Sequence, residues 1–163
     1  MATGRTIAKY VKVQIEDSGG AMRDIPVSTI AGVGITYDEV DVTALQDAIK
    51  KMFSGQGNVS ITITGPFDDT AAATASGPGE AAALSGSYTV LQPINGLNTA
   101  RTFAVYFGMQ GYWATGDPVF GAVDGFIVTD FSVPDGQTYS AKIAVAGNAA
   151  NAPAWGTSAL AAS

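Results

Sequence analysis

The sequence predicts a mainly β fold: an antiparallel β-sandwich or partly closed barrel, with one flanking α-helix over about 43–54 and long loops. Two observations carry this. Short runs of alternating apolar and polar residues recur along the chain, separated by Gly, Pro, Asn and Asp. Only one segment shows a helical apolar period with helix-end signals on both sides.

Residues 7–15 alternate, with Tyr10, Lys12 and Gln14 on one side and Val11, Val13 and Ile15 on the other, as a half-buried strand does. The acidic Gly-Gly turn at 16–20 ends it. Residues 24–30 form a second short strand, broken or edge-like at Pro26, which has no amide to give a ladder. Residues 35–42 form a strand in which Ile35 and Tyr37 share one face while Val40 and Val42 share the other. Both pairs point inward only if a bulge near Asp38 switches the faces.

The helix follows. Thr43 and Gln46 have capping-box spacing. Leu45, Ala48, Ile49, Met52 and Phe53 form one helical face. Asp47 near the start and Lys50 and Lys51 near the end suit the helix dipole, and Gly55 suits a stop. Residues 59–64 alternate Val59, Ile61 and Ile63 against Ser60, Thr62 and Thr64, and Gly65-Pro66 ends that strand. Residues 68–87, rich in Ala, Gly, Ser and Thr, read as a flexible loop. Short strands are expected at 88–91, 101–107, around Tyr112 and Trp113, at 125–133 and at 138–146, with a Pro134-Asp135-Gly136 turn between the last two. The expected organisation is one domain over 1–146 and an extended arm over 147–163 carrying Trp155.

Composition narrows function. Charged residues make up 13% of the 163-residue chain, well below the roughly 25% of ordinary soluble domains. A poorly charged surface associates, so part of this surface is expected to be covered by other copies or partners. The net charge is −6, and the basic residues concentrate early (Arg5, Lys9, Lys12, Arg23, Lys50, Lys51). No basic stripe is present to neutralise phosphates, which argues against tight nucleic-acid binding. The N-terminus has no signal-peptide core and no run is long enough to span a bilayer, so a soluble chain made in the cytoplasm, without membrane contact, is expected.

Chemistry is sparse. With no His and no Cys, imidazole bases and thiolate sites are excluded. No phosphate loop or dinucleotide fingerprint occurs. Asp38, Glu39 and Asp41 offer too few ligands for a hard cation, and they suit a solvated strand edge better. Asp68, Asp69, Asp130 and Asp135 show no spacing that pairs two carboxylates for hydrolysis. No enzyme and no cofactor are expected.

The segment 37–67, an acid-rich strand, a flanking helix and an alternating strand ending in Gly65-Pro66-Phe67, resembles the tail tube (major tail) protein family of long-tailed, non-contractile bacteriophages. The resemblance extends over about 8–155. It implies a virion structural protein whose hexameric rings stack into a hollow tube for DNA delivery. It also implies tape-measure, tail-tip and tail-terminator partners, viral DNA passing the lumen without specific binding, and residence in the phage tail after assembly in the host cytoplasm. On that reading Asp38, Glu39, Asp41, Lys9, Lys12, Asp68, Asp69 and Trp155 are the candidate self-assembly residues. A capsid decoration or fibre-type sandwich, or a carbohydrate-binding module using Trp113 and Tyr112, are the alternatives.

Overall fold

A computed structural model describes residues 11–73, 84–107, 111–114, 125–147 and 154–157. Two antiparallel sheets enclose the core. The first has the order β11-β8-β7-β1-β2, built from β1 (Val11–Glu16), β2 (Met22–Ile25), β7 (Phe103–Phe107), β8 (Gly111–Ala114) and β11 (Ala154–Thr157). The second has the order β3-β6-β10-β9, built from β3 (Thr29–Ala31), β6 (Ser60–Pro66), β9 (Phe126–Ser132) and β10 (Thr138–Val145). A separate two-stranded hairpin consists of β4 (Thr36–Asp41) and β5 (Met52–Asn58). One short helix, α1 (Ser87–Leu91), runs into a 3-10 turn at Gln92–Ile94. Among the described residues the fold is mainly β with one helix, as expected of the class, and neither sheet closes into a barrel.

The alternation in the sequence builds the core directly. Val13 and Ile15 of β1, Ile61 and Ile63 of β6, Phe103 and Val105 of β7 and Ile143 of β10 meet between the sheets. Gln14 lies on the other face of its sheet, opposite Ala104 in register, and is also buried. Pro26 does break its strand: β2 ends at Ile25 in the first sheet, and β3 begins at Thr29 in the second. A bulge in β9 leaves Thr129 without a partner between the pairs Val128–Ile143 and Asp130–Lys142. That extra residue lets both Val128 and Phe131 pack on the core although three positions separate them.

Tyr139 locks the centre. It is fully buried and its hydroxyl donates to the Pro26 carbonyl at 2.6 Å. Burial pushes its pKa well above the ordinary value, so it stays neutral. Tyr139→Phe leaves a buried carbonyl unpaired and is expected to cost about 1–3 kcal/mol. A thermal melt identical to that of the parent protein would contradict this role.

Two expectations are corrected. Residues 43–54 are not helical: 42–51 form the turn of the hairpin, and Met52, Phe53 and Gly55 belong to β5. The helix-end groups are used otherwise. The Thr43 hydroxyl accepts from Lys51 N and donates to Lys51 O, while the Asp47 carboxylate accepts from Ala44 N and Lys51 Nζ. A helix this short is marginal alone, and the ladder to β4 replaces it.

Residues 88–91, expected as a strand, lie in α1. The Ser87 hydroxyl donates to Pro66 O and accepts from Asp68 N, which fixes the first turn, and Val90, Leu91 and Ile94 enter the core. Of the loop expected to be flexible over 68–87, residues 74–83 lie outside the described residues, and the described ends are hydrogen-bonded. Tyr88 N donates to Asp68 O, Gly86 N to Thr70 O, Ser85 N to Asp24 O and Ala73 N to Ser85 Oγ. Eleven strands are described, among them residues 154–157 of the anticipated arm, which pair with β8.

Candidate assembly surface

The β4–β5 hairpin is the most exposed part of the described structure. Every residue of β4 is exposed, and in β5 only Gly55 is partly covered. A bulge is present near Asp38, between the pairs Tyr37–Gly57 and Glu39–Ser54, but the extra residue lies in β5, where Gly55 and Gln56 stand opposite the single residue Asp38. It does not turn Tyr37 and Val40 inward: both remain about half exposed.

Its apolar load is large. Leu45 is 103% exposed, Ile49 72% and Phe53 68%, with Tyr37, Val40, Val42 and Met52 also open to solvent. Exposed apolar residues concentrated on one projecting element mark an interaction surface. An isolated two-stranded hairpin is marginal in water, so this element gains from a partner that covers it. At its root, Ile35, Tyr37, Gly57, Asn58, Val59, Ala144 and Val145 line a cleft between the hairpin and the end of β10.

Charges on the hairpin are divided. Asp38, Glu39 and Asp41 lie on β4, while Lys50 and Lys51 lie at the return of the turn. Asp41 is held below the usual carboxylate range by the Thr43 amide and hydroxyl. Asp47 is held below it by the Lys51 ammonium, at 2.5 Å, and the Ala44 amide. Both therefore stay ionised well into acid. Lys50 is 3.8 Å from Asp41 and mostly exposed.

The other candidate residues are scattered. Lys12 forms an ion pair with Asp24 at 3.3 Å and is mostly buried, within the first sheet. Lys9 lies outside the described residues. Asp68 receives the Thr70 hydroxyl and amide, which hold its pKa down, and Asp69 beside it is exposed. Trp155 stands opposite Trp113 in the β11–β8 register.

A second apolar feature escaped the sequence reading because three distant segments build it. Phe67 and Tyr88 are 40% and 42% exposed, with ring centroids 5.4 Å apart. Tyr88 lies 6.4 Å from Phe131, which stacks at 5.9 Å on the buried Tyr139. The patch is thus anchored in the core.

The first sheet carries a charge network at the β1–β2 turn. Arg23 Nε donates to Asp17 at 2.8 Å, and Arg101 donates to Asp17 O at 2.5 Å. Burial raises the Asp17 pKa, but the Arg23 hydrogen bond and the Ala21 and Gly19 amides outweigh it, and the net shift is downward. This network is internal and offers no reactive group.

No family model matches the chain, and no curated protein matches it by sequence. Solved structures do match. One is a chain of the sheath–tube complex of an extracellular contractile injection system (PVC) in its extended state. It is 13% identical, with a TM-score of 0.51, over 97% of this chain and 99% of that one. Another is the tube-terminating cap of the anti-feeding prophage, 10% identical with a TM-score of 0.53, over 97% and 95%. The first comes from a contractile system, whereas the sequence resemblance pointed to non-contractile tails. The likeness spans nearly the whole of each chain, and the fold of this protein is tail-tube-like.

Proposed function

We propose that this chain is a structural, non-enzymatic subunit of a phage-like tail tube, in which hexameric rings stack into a hollow conduit that viral DNA traverses. The observation that carries this reading is the solvent-exposed apolar hairpin on a tail-tube-like sandwich. A ring or stack uses one patch of a copy against a different patch of the next, and such contacts propagate. The acidic balance of the chain, −6, suits a lumen that repels a polyanion and lets it slide. Tape-measure, tail-tip and terminator proteins are the partners that such a tube needs, and the virion tail is its place.

The likeness to a tube-terminating cap favours a second reading, in which the chain closes a tube as a single ring. Sedimentation at rising concentration, with electron microscopy beside it, separates the two. A tube subunit grows without limit into hollow filaments, whereas a cap stops at one ring. A stable trimer would overturn both readings and favour a decoration protein. Tubes purified from virions, bare or inside a sheath, decide between the non-contractile tail of the sequence resemblance and the contractile system of the sheath–tube match.

A further inference from the structure

We propose that the hairpin tip of one copy seats on the Phe67–Tyr88–Phe131 patch of the next, as a head-to-tail contact. The proposal rests on the tube reading above and names the two surfaces that meet.

Position comes first. β6 follows the hairpin directly, since β5 ends at Asn58 and β6 begins at Ser60. Phe67 comes immediately after the far end of β6, Pro66. The hairpin root and the aromatic patch therefore lie at opposite ends of one strand, about 20 Å apart at the usual strand rise. The cleft at the root confirms this polarity, because it is lined by Val145 at the end of β10, while Thr138 at its start pairs with Pro66. Among the described strands β4 and β5 pair only with each other, and the patch of the same copy is at the wrong end. A donor at one end and an acceptor at the other make a contact that repeats from copy to copy in one direction.

Chemistry agrees with position. The tip presents Leu45 and Ile49 with Lys50 and Lys51 beside them. The acceptor presents aromatic rings with Asp68 and Asp69 directly after Phe67. Phe67 N donates to Gln137 O, which brings the Asp135 turn to the same end. Asp68 and Asp135 are both kept ionised, by Thr70 and by the Gln137 and Thr138 amides respectively. Lys12, Arg23 and Arg101 sit in largely buried internal ion pairs, whereas Lys50 and Lys51 stay more than half exposed in their pairs with Asp41 and Asp47, and Lys142 is also exposed. An apolar tip, whose exposed lysines can exchange their own carboxylate partners, thus faces an aromatic seat rimmed by aspartates.

The chain has no cysteine, so introduced thiols report contacts without background. Ala48→Cys places one on the tip and Asp69→Cys one on the rim, both at exposed positions. The two variants are mixed at concentrations where the protein assembles and oxidised with diamide. The expected product is a covalent dimer that forms in the mixture and in neither variant alone. The variant carrying both substitutions gives a ladder of multimers. Dimers of Ala48→Cys with itself would overturn the proposal in favour of tip-to-tip pairing. Assembled tubes without the mixed dimer would overturn the seat and leave the tube reading standing. No assembly by sedimentation or microscopy would overturn both.

Discussion

Replacing Leu45 and Ile49 together by serine leaves the subunit as stable as before and raises the concentration at which it polymerises by roughly 10²-fold or more. Leu45 is wholly and Ile49 mostly in water in the free subunit, so the fold loses little when they go. In the assembled state each would be covered. A fully buried leucine or isoleucine contributes about 1.5–3 kcal/mol, and each 1.4 kcal/mol is a factor of ten in association. Melting temperature and critical concentration, measured on the same preparation, separate the two effects. Loss of stability without loss of assembly would mean that the hairpin packs on its own sandwich. Unchanged values of both would remove the hairpin from the interface.

Gly32→Ala destabilises the subunit by about 3 kcal/mol or more, a fall of roughly 6–12 °C in melting temperature for a chain of this size. Two causes coincide. Gly32 has a φ of +83°, where a side chain is strained. A Cβ there would also sit 2.0 Å from the Ser60 carbonyl oxygen, which is main chain and cannot swing aside. The position lies where the chain leaves β3 and crosses the start of β6 towards the hairpin. Gly96→Ala is the control. It has a φ of +77° with nothing within 4 Å, so it isolates the conformational cost, about 1 kcal/mol. Equal melts for the two variants would show that the close approach to Ser60 is not rigid.

Much of the sandwich was legible because its strands are half-buried on one side and alternate accordingly. Val13 and Ile15, and Ile61 and Ile63, entered the core as their spacing required. Pro26 and the Asp135-Gly136 turn marked real breaks, since each acts through its own backbone chemistry. The hairpin was misread for a physical reason. Apolar spacing says which residues seek cover, but not whether that cover comes from the same chain. Leu45, Ile49 and Phe53 have a helical period and yet stand in solvent, on a turn and a strand. α1 was misread because Tyr88, Thr89 and Val90 favour strands locally, while the anchors of its first turn, Pro66 and Asp68, lie about twenty residues away. The aromatic patch had no local signal at all, since Phe67, Tyr88 and Phe131 meet only in the folded chain.

Cryo-electron microscopy of the protein polymerised at high concentration tests the central claim most directly. The account predicts a hollow tube of stacked rings in which the 36–58 hairpin of each copy is buried against another copy. A closed oligomer without a lumen, or a particle whose hairpins remain free in solvent, would contradict it.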